Sequence, residues 1–257
     1  MKLYDTHAHL NDPIFADDLN DVLKRARDAG VCRINIVGWD IQSSRDAIRV
    51  SEKYPDILRA IVGFHPNYSA GWRDSWLSEL EKLLENPLVV GIGEIGMDAY
   101  WSYASLSDQE KAFRSQLMLA KDKGLPVVLH IRKAFDRVLP ILEEMRPQKA
   151  LFHAFSGGTN EALWATERGY PISVTGVIVL GSKRLRSVIR RIGLSWLVVE
   201  TDCPYISPIK GHRNEPANVR LVVEKISELL NTPLGYVAQV IWENSSRFFL
   251  NAPLRSP

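Results

Sequence analysis

The sequence predicts an α/β fold, a (β/α)8 TIM barrel in a single domain over residues 1–257. Three observations predict it. Short apolar or β-branched runs alternate eight times with longer stretches of helical period. The runs are apolar nearly throughout instead of alternating with polar residues, as strands buried on both faces should be. The length of 257 residues suits a barrel, which commonly needs about 250. A doubly wound open sheet competes, but eight units would be many for it, and the G-x-G-x-x-G of Gly91 to Gly96 overlaps run four without opening a helix, the next being expected only at 107.

The elements follow in order along the chain. Residues 3–9 form the first run, and a helix over 17–29 stops at Gly30, the position after a helix end that glycine favours. The second run is 33–37, followed by a helix over 43–54 with Pro55 just beyond it. Run three, 57–62, precedes a helix over 75–85; run four, 89–92, precedes one over 107–123 that ends at Gly124. Run five is 126–130 with a helix over 135–145, and run six is 150–153 with a helix over 160–168. Run seven, 172–177, is followed by a helix over 183–192. Run eight is 197–200, and two further helices cover 218–230 and 233–248.

Composition narrows the function classes. With 32 basic and 30 acidic residues the formal charge is +2, which excludes a protein coated in nucleic acid and excludes an acidic tail, but allows a local basic groove. Only two cysteines, Cys32 and Cys203, are present, so no disulfide framework is expected. No stretch without a formal charge exceeds 14 residues, as in Gly169 to Ser182, short of the roughly 20 that a spanning helix needs. Met1-Lys2-Leu3-Tyr4-Asp5 lacks the apolar run of a signal peptide, and a cytoplasmic protein with no membrane or obligate protein partner is expected.

The histidines carry the chemistry. In a barrel the active site lies at the C-terminal ends of the strands, and five of the six histidines fall at or within three residues of such an end. His7-Ala8-His9 places two imidazoles on one side of the first strand, where both can bind one metal ion, with Asp5 one step deeper to orient a ligand histidine. Glu94 stands among the glycines of Gly91-Ile92-Gly93-Glu94-Ile95-Gly96, which would let a ligand or metal approach the backbone. His130 closes run five, His153 closes run six, and Asp202 follows run eight, where a buried carboxylate is costly without a cation or donors. Each alone has a bland explanation as a surface or core side chain. Together, four histidines, one glutamate and one aspartate suffice for two divalent ions with Glu94 between them.

Seven blocks carry a resemblance: Asp5-Thr6-His7-Ala8-His9-Leu10, Gly63-Phe64-His65-Pro66, Gly91 to Asp98, Pro126 to Arg132, His153-Ala154-Phe155-Ser156-Gly157, Glu200-Thr201-Asp202-Cys203-Pro204-Tyr205 and Arg213-Asn214-Glu215-Pro216. In this order, and over almost the whole chain, they resemble the signature blocks of the TatD-type metal-dependent DNases, amidohydrolase-related TIM barrels. The resemblance implies hydrolysis of DNA phosphodiester bonds, trimming ends or single strands or cutting at damaged sites. It implies one metal held by His7, His9, Glu94 and Asp202, and a second by Glu94, His130 and His153. Three departures stand out: a short stretch from Pro204 to Arg213, Cys203 after Asp202, and Ala99-Tyr100-Trp101 after Asp98.

Two metals neutralise a phosphodiester, acidify a bound water and stabilise both attacking and leaving oxygens. The catalytic roles fall to Asp202, as orienter of the water and proton acceptor, and to Glu94 between the ions. His65 and Arg132 are expected to hold phosphate oxygens, and Arg213 to contact phosphate or brace its loop. Mg2+ suits the carboxylates, while four histidines suit Zn2+, Mn2+ or Ni2+. Lys183 and Arg184, nearest the barrel mouth in the densest basic run, are placed to meet a DNA backbone. Tyr100, Trp101 and Tyr103 could stack on bases. The competing reading is an amidohydrolase-type enzyme that cleaves a C–N or ester bond of a small molecule.

Overall fold

Eight strands pair in parallel, each with its successor in the sequence: β1 (Leu3–Ala8), β2 (Val31–Val37), β3 (Leu58–Val62), β4 (Val89–Asp98), β5 (Val127–Arg132), β6 (Ala150–Phe152), β7 (Ile172–Val174) and β8 (Leu197–Val199). This is the (β/α)8 arrangement, seen in a computed structural model that describes residues 1–250. The last seven residues of the 1–257 domain expected from the sequence lie outside the described residues. The ring closes between the chain following β8 and β1, where Asp202 N–H donates to His7 O at 2.9 Å and His9 N–H donates to Cys203 O at 2.8 Å. Both ends of the barrel seam therefore carry expected ligands.

Helices cover the outside: α1 (Leu19–Asp28), α2 (Ile41–Lys53), α3 (Asp74–Leu83), α4 (Leu106–Lys123), α5 (Phe135–Met145), α6 (Thr159–Glu167), α7 (Lys183–Ile192), α8 (Val219–Leu230) and α9 (Leu234–Leu250). Their starts follow capping chemistry. Asp40 accepts from Ser43 N–H at the head of α2, and Ser105 accepts from Asp108 N–H at the head of α4. The first helix begins at Leu19 and not at residue 17, because Asp12 caps a 3-10 turn over Pro13–Phe15 first. No helix among the described residues is long and apolar enough to cross a membrane.

Alternation along the strands sorts side chains into two apolar clusters. The larger joins outward positions such as Ile34, Ile36, Leu58, Val127 and Leu129 to the helices. The smaller takes one residue from each strand but one (Tyr4, Val37, Ile61, Val90, Val128, Leu151 and Val198) together with Phe248 and Phe249 of α9. The last helix thus floors the barrel with aromatic rings, against which Tyr4 also packs.

Strand β4 is longer than the sequence suggested, ten residues instead of four. Its glycines explain the difference. A Cβ on Gly93 would lie 2.8 Å from Val128 Cβ, and one on Gly96, at φ +139, would lie 2.1 Å from His130 O. The glycines therefore admit the neighbouring strand, and the expectation that they open the backbone to a metal is corrected. Strand β7 is shorter than expected, ending at Val174, because Thr175 caps a 3-10 turn over Gly176–Ile178.

Candidate metal centre

Six expected ligands converge at the C-terminal end of the barrel around one carboxylate. Glu94, inside β4 and not after it, is buried, and its two oxygens face different partners. Oε1 lies 3.2 Å from His7 Nε2 and 3.4 Å from His9 Nε2. Asp202 Oδ1 completes that side, 3.4 Å from His9 Nε2 and 3.8 Å from His7 Nε2. Oε2 lies 3.2 Å from His130 Nδ1 and 3.5 Å from His153 Nε2. His65 Nε2 stands slightly further off, 3.8 Å from the same oxygen.

The donor set fits cations. His9 Nδ1 lies 3.0 Å from Val37 O, a carbonyl that only accepts, so the neutral ring turns a lone pair at Nε2 toward Glu94 and Asp202. His7 Nε2 stands 3.3 Å from His9 Nε2. These gaps match the roughly 3.4 Å separation of ligands around a tetrahedral ion with bonds of about 2.1 Å. Three subsets, His7/His9/Glu94, His65/Glu94/His130 and His7/His153/Glu200, bring ligand atoms within 4.8 Å of one another. In the first two, Glu94 is the shared member.

His65 differs from the others. Asn67 N–H donates to its Nδ1 at 3.1 Å, so Nε2 bears the hydrogen and the ring is a donor toward the site, not a ligand. Burial, reinforced by the neighbouring His130 charge, depresses its pKa to about 3, so it is neutral when it donates.

Charges outside the ligand set hold the imidazoles. His130 Nε2 bonds Asp98 Oδ2 at 3.2 Å, and Asp98 also accepts Tyr100 N–H at 2.8 Å. His153 Nδ1 lies 2.8 Å from Glu200 Oε1, an ion-pair contact whose N–H points off the hydrogen-bond line; the same oxygen accepts Ala154 N–H at 2.7 Å. Burial alone would depress His153, but Glu200, Glu94 and Asp202 outweigh it and raise its pKa to about 10. Burial would raise Glu94, yet His7, His153 and the His130 bond hold its carboxyl well below the usual range. Such counter-charging by outer carboxylates raises ligand basicity.

Asp98 and Glu200 were not assigned these roles from the sequence. Buried acidic residues at strand ends, costly without partners, were the available signal. Asp5 differs from expectation: its carboxylate accepts Thr201 N–H at 2.9 Å and Thr201 Oγ1–H, bracing the seam instead of a ligand ring. Burial pushes Asp5 up to about 8. Asp202 adopts φ +56, a left-handed conformation uncommon for a non-glycine residue and tolerated best by Asn and Asp.

The outer residues separate as well. Arg132 ends β5 with its guanidinium 4.1 Å from the Tyr100 ring centroid, beside exposed Trp101 and Tyr103. Arg213 corrects its expected phosphate role, for its guanidinium is already committed to Asp18 Oδ2 at 2.5 Å and Ile14 O at 2.7 Å, over the Phe15 ring. That is the bracing alternative. A cleft of about 720 Å³ runs from His130, His153 and Asp202 to Lys183 and Arg184.

A family profile described as TatD related DNase matches residues 4–250. The chain belongs to that family. It is 34% identical over 252 residues to an uncharacterized metal-dependent hydrolase, YabD, of Bacillus subtilis, covering 96% of this chain and 98% of the relative. It is 32% identical to the 3'-5' ssDNA/RNA exonuclease TatD of Erwinia tasmaniensis, covering 96% and 99%. The crystal structure of YjjV, a TatD homolog from Escherichia coli K12, superposes with a TM-score of 0.90 at 31% identity, covering 96% and 98%. Members of this TatD family are metal-dependent hydrolases, and the described residues include His and Glu groups that could hold a metal ion.

Proposed function

We propose that the chain is a divalent-metal-dependent deoxyribonuclease that removes nucleotides from single-stranded DNA by hydrolysing phosphodiester bonds; His7, His9, Glu94 and Asp202 would hold one cation, and Glu94, His130 and His153 a second. The division of the Glu94 carboxylate carries the reading: Oε1 faces His7 and His9, whose ring nitrogens also face Asp202 Oδ1, and Oε2 faces His130 and His153. Relatives named as 3'-5' ssDNA/RNA exonucleases support the substrate class. When bound, two divalent ions supply charge neutralisation of the phosphate and acidification of a water. Mg2+ is the proposed cellular ion, with Zn2+, Mn2+ or Ni2+ accepted by the imidazoles.

The chain's own groups do the rest. Asp202 orients the water and takes its proton at the carboxylate, held among His7, His9 and His153. His65 donates its Nε2 hydrogen to a non-bridging oxygen as a neutral group. Arg132, braced on Tyr100, pairs with phosphate, and Tyr100, Trp101 and Tyr103 offer faces to unpaired bases.

End-labelled single-stranded DNA incubated with Mg2+, Mn2+ or EDTA tests the reading, with Glu94→Ala and Asp202→Ala alongside. A metal-dependent ladder absent in both variants is expected. Full cleavage by either variant, or no cleavage with any metal while a small ester or amide is hydrolysed, replaces it with a small-molecule hydrolase.

A further inference from the structure

Helix α7 carries Lys183, Arg184, Arg186, Arg190 and Arg191 and no acidic residue. Among the described residues, none of the five lies within ion-pair distance of a carboxylate. Cations on other helices do, Lys24, Arg45, Arg114 and Arg220 among them. Glu228 of α8 is the carboxylate whose field reaches Arg186, but Lys225 already holds it at 2.6 Å. Arg186 Nε is buried with no hydrogen-bond partner. Lys183 and Arg184 also stand in the first helical turn, where the helix dipole favours anions. Like charges so placed repel one another unless an anion lies across them.

Position relative to the metal centre says which anion. The cleft that holds His130, His153 and Asp202 extends to Lys183 and Arg184. A second depression of about 310 Å³ continues from there, lined by Lys183, Arg186, Ser187 and Arg190. Lys183 borders both. Residues 183, 186, 187 and 190 share one face of a helix about 15 Å long, so the cations form a line leading away from the centre.

We infer that this face is a phosphate track, along which the part of a single strand beyond the scissile bond lies. The inference rests on the nuclease reading for its substrate. It explains why a chain of formal charge +2 concentrates uncompensated cations on one helix beside the cleft.

The test is Lys183→Ala combined with Arg186→Ala and Arg190→Ala. Binding of a fluorescein-labelled oligothymidylate, long enough to leave the cleft, is followed by anisotropy across a salt series. Lys111→Ala with Lys121→Ala on α4 is the control. Each phosphate contact on a single strand contributes about 0.7 to the salt slope, so the triple variant should flatten the slope by about 2. Raising salt from about 50 to about 200 mM should then cost the wild type about 16-fold more affinity than the variant. Turnover of bis(4-nitrophenyl) phosphate, too small to reach Arg186 and Arg190, should be unchanged in the Arg186→Ala, Arg190→Ala double variant, which keeps Lys183 at the cleft.

Identical slopes and affinities in variant and wild type overturn the inference, as does an equal loss in the α4 control. A matching loss on the small diester overturns it too, since that reports damage to the centre. If the binding difference stands but no protein cleaves the strand, the nuclease reading fails and the track survives.

Discussion

Gly96→Ala tests whether β4 and β5 set the geometry of the metal centre. The new Cβ would meet His130 O at 2.1 Å, and a contact shorter than 3.0 Å is essentially never tolerated. One strand must therefore retreat by about 0.9 Å, at the residue whose Nδ1 stands 3.2 Å from Glu94 Oε2. Metal sites tolerate only about 0.2 Å of error in a ligand bond. Overpacking and the positive φ together cost about 2–6 kcal/mol of stability. Gly124→Ala is the matched control: it adds a Cβ at φ +65 with nothing within 4 Å, and costs about 1–2 kcal/mol. Metal stoichiometry by mass spectrometry, denaturant unfolding and turnover are measured on both. On the proposed two-cation arrangement, Gly96→Ala should lose the ion on the His130 side, keep the one at His7 and His9, and lose activity by about 100-fold. Two ions bound at wild-type affinity in Gly96→Ala, with a stability equal to that of Gly124→Ala, would refute the reasoning.

Other outcomes follow from the same contacts. Phe249→Ala, in the barrel floor, should cost about 3–5 kcal/mol in unfolding experiments while metal stoichiometry stays unchanged; a loss below about 1 kcal/mol would mean the floor collapses to fill the space. The metal-free protein should become less stable as pH rises. His153 is raised to about 10, so its contribution is complete below 6.5 and lost up to 10; Asp5, raised to about 8, gives the same sign between 3.8 and 8. Thermal melts in EDTA between pH 6.5 and 9 check this, and a flat or rising midpoint contradicts it. Arg213→Ala should lower the melting temperature through loss of the Asp18 and Phe15 contacts and leave KM for DNA unaltered; a rise in KM alone would restore Arg213 as a substrate contact.

Much of the centre was legible because barrel geometry turns strand ends into a site. His7, His9, His130 and His153 needed only the positions of apolar runs. The extent of β4 was hidden, since Gly91, Gly93 and Gly96 look like a loop until Val128 and His130 are seen pressed against them. Cross-strand register hid Asp98 as well. It pairs with Arg132 two residues beyond His130, and that alignment alone brings its carboxylate to the imidazole. Glu200 reaches His153 across β7, a neighbour relation no local pattern records. The aromatic floor was concealed for a similar reason, because Phe248 and Phe249 lie in sequence far from the strands they cover.

That floor has a consequence for synthesis. A ribosome releases β1 first and α9 after every strand, and the seam at His7 waits for Asp202. Until those late segments emerge, the nascent barrel is open at one end and unsealed along one side. His7 and His9 then have Glu94 within reach but still lack Asp202. The site gains its last carboxylate only once residue 202 has emerged, and a polypeptide halted before α9 lacks Phe248 and Phe249 beneath the barrel.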